Sequence, residues 1–351
     1  NDRNKLGVGL PQFFPQSNPL NLIPNATFGG VTGAPQLNIE QRFPFFGTNN
    51  IWNWSDNISW IRGSHNLKFG FYFERTSRNA ARATAFNGTF DFGRNVNNPL
   101  DTNYAYSNTL LGNFNSYTES NAHPNGHGRF KNFEWFAQDN WKVNRRLTLD
   151  YGVRFYWVEP SFSSGDTLGV FDSSLYDPSK AAQLVQPYRE TASAPRVGRN
   201  PTTGELLPAP LIGTLAAGSG TFHQGMRQYQ ERVLNTPSIK VAPRIGFAYD
   251  VFGNGKLALR GGFGIFFDRF NDDQVIIFVE QPPNVLPNSV VFSSINDLLR
   301  SPLNQSPANV NSIQRDYNPP TVYNWSFGVQ RDLGSGIVLD VAYVGNVGRH
   351  L

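Results

Sequence analysis

Cysteine is absent from the chain, which excludes a disulfide framework and any thiolate metal site. Methionine is nearly absent: the only one is Met226, and the chain opens Asn1-Asp2-Arg3-Asn4-Lys5. We therefore expect an internal fragment with no signal peptide to read. Long apolar runs are missing. Stretches such as Val275 to Val279 fall far short of the ~20 residues a helix needs to cross a bilayer. An excess of one charge is missing as well. The 30 Lys and Arg against 26 Asp and Glu leave a formal +4, scattered along the chain, which gives nucleic acid no electrostatic footprint. Catalytic signatures are also lacking: there is no His-Glu-x-x-His, no nucleophile elbow and no phosphate loop. The nearest match, Gly253-x-Gly255-Lys256, continues with Leu257 and reads as a hairpin turn. Neither an enzyme nor a cofactor site is expected.

What the chain does have is 33 Gly, 24 Pro and 14% aromatic residues with a negative mean hydropathy, which suits a loop-rich β protein. The clearest pattern runs from Phe130 to Trp157. Leu147, Leu149, Tyr151, Val153, Phe155 and Trp157 share one parity, against Thr148, Asp150, Gly152, Arg154 and Tyr156 on the other. Just before them, Phe133, Trp135, Ala137, Trp141 and Val143 alternate with Asn132, Glu134, Gln138, Asn140 and Lys142, with Asp139 and Phe136 as the exceptions. A period of two means strands, and Asn144-Arg145-Arg146 between them means a hairpin. The same plan occurs three more times. Trp52, Trp54, Ile58 and Trp60 lead through Gly63-Ser64 to Leu67, Phe69, Phe71 and Phe73. Ile239, Val241, Ile245, Phe247 and Tyr249 lead through Gly253-Asn254-Gly255 to Leu257, Leu259, Phe263, Ile265 and Phe267. Tyr323, Trp325, Phe327 and Val329 lead through Leu333-Gly334-Ser335-Gly336 to Ile337, Leu339, Val341 and Tyr343. Gly261, Gly262 and Gly264 read as strand glycines that ease curvature or close approach.

Between the hairpins the pattern lapses. Residues 1–48, punctuated by Pro11, Pro15, Pro19, Pro24, Pro35 and Pro44, read as an extended extracellular loop segment. Long loops are expected at about 79–129, 159–237 and 269–320, with at most a short helix near Ser179 to Val185. The expected fold is therefore all-β. It is an antiparallel up-and-down transmembrane β-barrel segment over 49–351, about eight strands in four hairpins, with short periplasmic turns and long extracellular loops. Strands of roughly ten to thirteen residues meet the ~9–11 needed to cross a bilayer at a tilt. All seven tryptophans, Trp52, Trp54, Trp60, Trp135, Trp141, Trp157 and Trp325, fall on the apolar parity and are read as a lipid-facing girdle. Glu134, Asp150, Arg154, Arg244 and Arg260 are read as lumen-facing. Alternation alone also fits a soluble sandwich, but the asymmetry of short turns and long loops favours the barrel.

Beside this reading stands a resemblance. The runs WFAQDNWKVNRRLTLDYGVRFYW (Trp135 to Trp157), APRIGFAYDVFGNGKLALRGGFGIFFDRF (Ala242 to Phe270) and VYNWSFGVQRDLGSGIVLDVAYVGNVGRHL (Val322 to Leu351) resemble the barrel of TonB-dependent receptors. With LNLIPNATFGG, FDSSLYDPSKA and NPTTGELLPAPLIGTL, they are similar to the Oar-like group, whose members carry a carboxypeptidase-regulatory-like N-terminal domain and are common in acidobacterial outer membranes. The resemblance implies a ~22-stranded barrel closed by a plug. It also implies contact with outer-membrane lipid and coupling to the TonB complex through N-terminal parts outside this stretch. The ligand would be an extracellular solute of siderophore, glycan or peptide class. An adhesin-like or structural barrel without transport, and a secreted soluble β protein, are the alternatives. In the loops, His123 and His127 are four residues apart but lack the helix or carboxylate cluster of a metal site. Asp272-Asp273 reads as a solvated loop tip. The loop aromatics Phe90, Phe92, Tyr104, Tyr106, Phe114, Tyr117, Phe222 and Tyr229 read as loop-on-loop packing rather than a stacking surface for a ligand, so no binding residue is assigned.

Overall fold

The computed structural model describes residues 2–45, 47–301 and 304–350. Asn1 and Leu351, at the ends of the first loop and the last strand of the sequence reading, lie outside these. Eight long strands form one antiparallel meander: β1 (Gly47–Arg62), β2 (His65–Ala81), β3 (Asn125–Lys142), β4 (Leu147–Val158), β5 (Lys240–Asp250), β6 (Leu257–Phe267), β7 (Thr321–Gly334) and β8 (Ile337–Arg349). Each pairs with its neighbours in chain order, and a two-residue ninth strand, Phe162–Ser163, adds to β3 beyond the end of β4. Among the described residues β1 and β8 have no outer partner, so the sheet is an open arc.

The register puts the apolar parity of every strand on one face. One cross-strand row reads Leu67, Asp139, Tyr151, Ile245, Phe263, Trp325; another reads Phe71, Trp135, Phe155, Val241. Cross-strand neighbours lie close enough for their side chains to interact. Accordingly Trp135 stacks on Phe155 with ring centroids 5.3 Å apart, and Trp54 meets Phe73 at 5.5 Å. Large rings also cover glycines of the adjacent strand. A Cβ at Gly345 would stand 2.5 Å from the indole of Trp325, and one at Gly261 would stand 2.5 Å from the ring of Phe247. These two glycines therefore make room for aromatic side chains, a close-approach role.

Three of the four short turns share a local device, a side-chain oxygen capping the backbone of the bend. Asn144 Oδ1 accepts from the N–H groups of Arg146 and Leu147. Asp250 accepts from those of Gly253 (2.9 Å) and Gly255 (2.8 Å), and Asp332 from that of Gly334 (2.8 Å). Gly253, Gly255, Gly334 and Gly336 all have positive φ, which glycine adopts at no steric cost.

Two expectations about length and loops are corrected. First, β1, β2 and β3 run 16, 17 and 18 residues rather than ten to thirteen. Their extra turns of strand carry polar residues such as Arg75, Arg78 and His127, so no apolar alternation marks them. Second, the long segments are not structureless. Asn25–Thr27, Thr89–Asp91, Asn113–Ser120, Pro287–Ser294 and Asn304–Gln305 build a five-stranded sheet from three separate loops. It closes over a core that includes Phe90, Phe92, Phe114, Tyr117 and Val290. Thr167–Phe171 pairs with Met226–Gln230, and Leu168 and Val170 of that pair join Val275, Phe278 and Val279 in a second core. A helix stands at Ala105–Leu111, where none was expected. The expected helix near Ser179 is instead a single 3₁₀ turn, Pro178–Lys180, capped by Asp177.

The proline-rich first segment is tied into this cap by two buried charges. Arg3 donates to the carbonyls of Leu22, Leu10, Pro11 and Asn87. Glu119, fully buried, accepts from Phe13 N–H (3.0 Å), Phe14 N–H (2.8 Å) and the Tyr117 hydroxyl (2.7 Å). Removing a carboxylate that satisfies three buried donors leaves them unpaired. Glu119→Ala in the full-length protein is expected to cost on the order of 2–3 kcal/mol locally. Limited proteolysis checks this: cleavage should accelerate within residues 2–45 and leave β3 to β6 protected.

Candidate functional site on the polar face and loop cap

The face opposite the aromatics carries the charged side chains. Glu134 on β3 and Arg154 on β4 sit beside the cross-strand pairs Glu134/Tyr156 and Phe136/Arg154. Arg154 Nε donates to Glu134 Oε2 at 2.7 Å, and Nη2 lies 2.5 Å from the same oxygen. The guanidinium also lies 5.7 Å from the Phe136 ring and 5.5 Å from that of Tyr156. Arg244 on β5 approaches the Tyr156 hydroxyl at 3.5 Å and covers the Phe266 ring at 4.5 Å. On β2, the Tyr72 hydroxyl donates to Glu74 at 2.6 Å and the Thr76 hydroxyl at 3.0 Å. The structure thus gathers three of the five polar-face residues singled out in the sequence, Glu134, Arg154 and Arg244, around Tyr156, with Tyr72 and its partner Glu74 on the neighbouring strand, where Tyr72 is the cross-strand neighbour of Glu134. Asp150 and Arg260 share the face but stand nearer the turns. Asp150 faces Asn140 and Gly246, and Arg260 faces Ala248 and Gly328.

The seven tryptophans all share the opposite face. Trp60 and Trp141 stand near the short turns, Trp52, Trp54 and Trp157 toward the loops, Trp135 within β3 and Trp325 in β7.

Where the long strands meet the cap, basic residues of β2 and the chain just after it reach acidic residues of the last long loop. Arg78 lies 3.2 Å from both Asp272 and Asp273, and Arg82 lies 3.4 Å from Asp273 and 3.2 Å from Glu280. The Asp272-Asp273 pair is therefore an ion-paired clamp and not a solvated tip. Arg269, on the same loop, lies 3.3 Å over the Phe130 ring, and burial holds its pKa below the usual arginine value. Sequence reasoning missed Arg78, Arg82 and Glu280. The available signal was a basic pair continuing the period of β2 past its last apolar residue.

The two histidines part company. His127 Nδ1 lies 3.0 Å from both oxygens of Asp166, and Ser163 donates to the same carboxylate at 2.6 Å. His123 stacks on Phe86 at 4.1 Å with Nδ1 3.0 Å from the Thr84 hydroxyl, and burial lowers its pKa below the ordinary histidine value. Among the described residues no cluster of three metal-ligating side chains occurs. The loop aromatics divide as well. Phe90, Phe92, Phe114 and Tyr117 are cap core, and burial beside Glu119 raises the Tyr117 pKa. Tyr104 is exposed and meets Tyr106 edge-on at 5.7 Å. Phe222 is half-buried, and Tyr229 packs against the second core.

An outer membrane beta barrel domain model matches residues 1–351. Among solved structures, the chain is similar to the outer membrane transporter YddB from Escherichia coli, with 11% identity and a TM-score of 0.40 over 85% of this chain and 26% of that one. It is also similar to the copper transporter OprC, with 13% identity and a TM-score of 0.36 over 86% of this chain and 30% of that one. The chain thus spans between a quarter and a third of the solved proteins it matches. No curated protein matches it. With one apolar and one polar sheet face, and a family match over its whole length, the chain belongs to the outer-membrane β-barrel domain family and resides in the bacterial outer membrane.

Proposed function

We propose that this chain is part of the wall and outer cap of a TonB-dependent receptor that actively takes up a large, scarce solute of siderophore, glycan or peptide class. The observation that carries the reading is the two-ended sheet: tight turns at one end, and at the other the first segment and two of the long loops folded together into a sheet of their own. In this reading the seven tryptophans face lipid, and Glu134, Arg154 and Arg244 line the lumen with Asp150 and Arg260 below them. The turns are periplasmic and the cap is extracellular. A pore that only passes small solutes needs no such cap, whereas a receptor needs a shaped surface over its lumen. The narrower placement in the Oar-like group of acidobacterial type rests on the loop motifs, and coupling to TonB would run through a plug domain outside this stretch. No catalytic step is assigned.

An adhesin-like barrel is the second reading. The cap exposes Val96 (94%), Leu110 (88%) and Leu111 (63%), which would suit a surface partner. Uptake separates the two. Cells expressing the full-length protein are given fluorophore-labelled siderophore, oligosaccharide and oligopeptide pools, and accumulation of one class is expected to vanish when TonB is inactivated. Surface binding that does not depend on TonB would assign the protein to the adhesin reading.

The orientation of the sheet has its own test. Val153 and Asp150 lie on opposite faces of β4. In the full-length protein folded into lipid vesicles, Val153→Arg should cost ~2–4 kcal/mol and Asp150→Arg far less. Urea unfolding measures both, and equal costs would contradict the assignment of faces.

A further inference from the structure

The polar face carries cations of two kinds. Arg154 is paired with Glu134, and Arg78 and Arg82 with Asp272, Asp273 and Glu280. Lys240, Arg244, Arg260 and Arg269 form no ion pair among the described residues. Two of these are held by rings instead of carboxylates. Arg244, which is exposed, covers Phe266 at 4.5 Å and reaches the Tyr156 hydroxyl only at 3.5 Å. Arg269, which is half-buried, lies 3.3 Å over Phe130, and its guanidinium makes a single hydrogen bond, at 3.5 Å to the Phe270 carbonyl. No nitrogen of either guanidinium is both occluded and without a partner, so their free N–H groups are open to solvent. A ring beneath a guanidinium orients it and leaves unspent the N–H fork that takes carboxylate or phosphate oxygens. The floor beside Arg244 is bare. Its cross-strand neighbours are Gly152 and Gly264, and a Cβ at Gly264 would stand 3.0 Å from the Phe266 ring and 3.5 Å from Arg244 Cγ, so this glycine makes room for the stack.

Register sets the four cations in order. Lys240 and Arg244 share a parity of β5 and stand about 13 Å apart along the strand. Arg260 on β6 pairs with Ala248 and continues the line an equal step toward the turns. Arg269 stands at the cap end, because Phe130 lies past the last β3 and β4 pair, Asn132 with Val158. The carboxylates of this face do not meet them. Glu134 is taken by Arg154, Glu74 accepts from Tyr72 and Thr76, Asp268 accepts from the backbone N–H of Arg269, and Asp150 faces Gly246 from β4. Resting on the reading that this face lines the lumen, we propose that Arg269, Lys240, Arg244 and Arg260 form a track for a solute carrying several carboxylate or phosphate groups, met first at Arg269 and passed toward the turns. A neutral glycan would leave all four cations unmatched, and a solute with one anionic group would match only one at a time.

The test uses the full-length protein in lipid nanodiscs, with a nitroxide attached through Asn324→Cys. Asn324 is exposed on the polar face and pairs with Gly264, the neighbour of Arg244. Two relaxation reagents are compared, the trianion trioxalatochromate and a neutral nickel chelate, each normalised to free nitroxide. Relaxation by the trianion should saturate with its concentration and exceed that by the neutral chelate about tenfold, as a cationic surface concentrates an anion. Arg244→Gln and Arg269→Gln should each raise the half-saturating concentration about tenfold, as loss of one charge-assisted hydrogen bond would. Arg62→Gln, on the opposite face, should leave it unchanged. Equal and unsaturating relaxation by both reagents would overturn the track while leaving the face open to water. Relaxation by the neutral chelate alone would show that carboxylates from elsewhere in the same protein occupy the cations, and would overturn a track for solute. Saturation untouched by Arg244→Gln and Arg269→Gln would overturn the assignment to these residues. Relaxation by neither reagent would contradict the lumenal reading of the face and the track together.

Discussion

The constraint on which the rest of the structure depends is register. Side chains alternate with a period of two, so a slip of one residue in any strand pair would carry that strand's apolar set to the other face. From Gly47 paired with Ala80 to Thr321 paired with Arg349, the pairing runs without such a slip through the body of the sheet. The one irregularity, between Asp332 and Gly334, falls at a turn, where it alters no row of side chains. Continuous rows such as Leu67, Asp139, Tyr151, Ile245, Phe263 and Trp325 exist only because all these registers agree. Strand pairing also satisfies the backbone within the sheet, which a β protein needs in a membrane because lipid offers no hydrogen bonds.

From the same constraint follows the division of labour between the two ends. At the turns, two to six residues must reverse the chain without disturbing register, and Asn144, Asp250 and Asp332 fix three of the four bends through their own side chains. At the other end register is fixed already, so the segments between hairpins are free to lengthen. Here β1 to β3 extend beyond the shorter strands and provide attachment. Arg78 and Arg82 hold the last long loop through Asp272, Asp273 and Glu280. Glu119 and Arg3 hold the first segment. The Glu134, Arg154 and Arg244 cluster lies on the polar face, bounded by Tyr156 and Phe266.

Much of the sheet was legible in the sequence because its signal is local. Leu147 to Trp157 alternates over eleven residues, and one hairpin fixes its own partner. The full reach of β2 was not legible: after Phe73 the chain reads Glu74, Arg75, Thr76, Ser77, Arg78, which carries no contrast between faces even though it remains strand. The cap was hidden for a different reason. Asn25–Thr27 pairs with Thr89–Asp91, and Ser289 pairs with Thr118, so the pairings that join its separate segments run far along the chain, and three-residue strands show no period of their own. Asp272 and Asp273 looked solvated because their arginines lie almost two hundred residues earlier. Asp139 was visible as an exception to its face, but His65 and Tyr151, the partners that hold its carboxylate, come from the strands on either side.

The central claim is that one face of this sheet meets lipid and the other meets water. The most direct measurement places single spin labels at consecutive positions from Leu147 to Val158 in the full-length protein, reconstituted in vesicles, and reads collisional accessibility to oxygen and to a water-soluble nickel chelate. The account predicts alternation with a period of two: oxygen favoured at Leu149, Tyr151, Val153 and Phe155, and the chelate favoured at Thr148, Asp150, Gly152 and Arg154. Accessibility to the chelate on both parities, or to neither reagent on the aromatic parity, would contradict it.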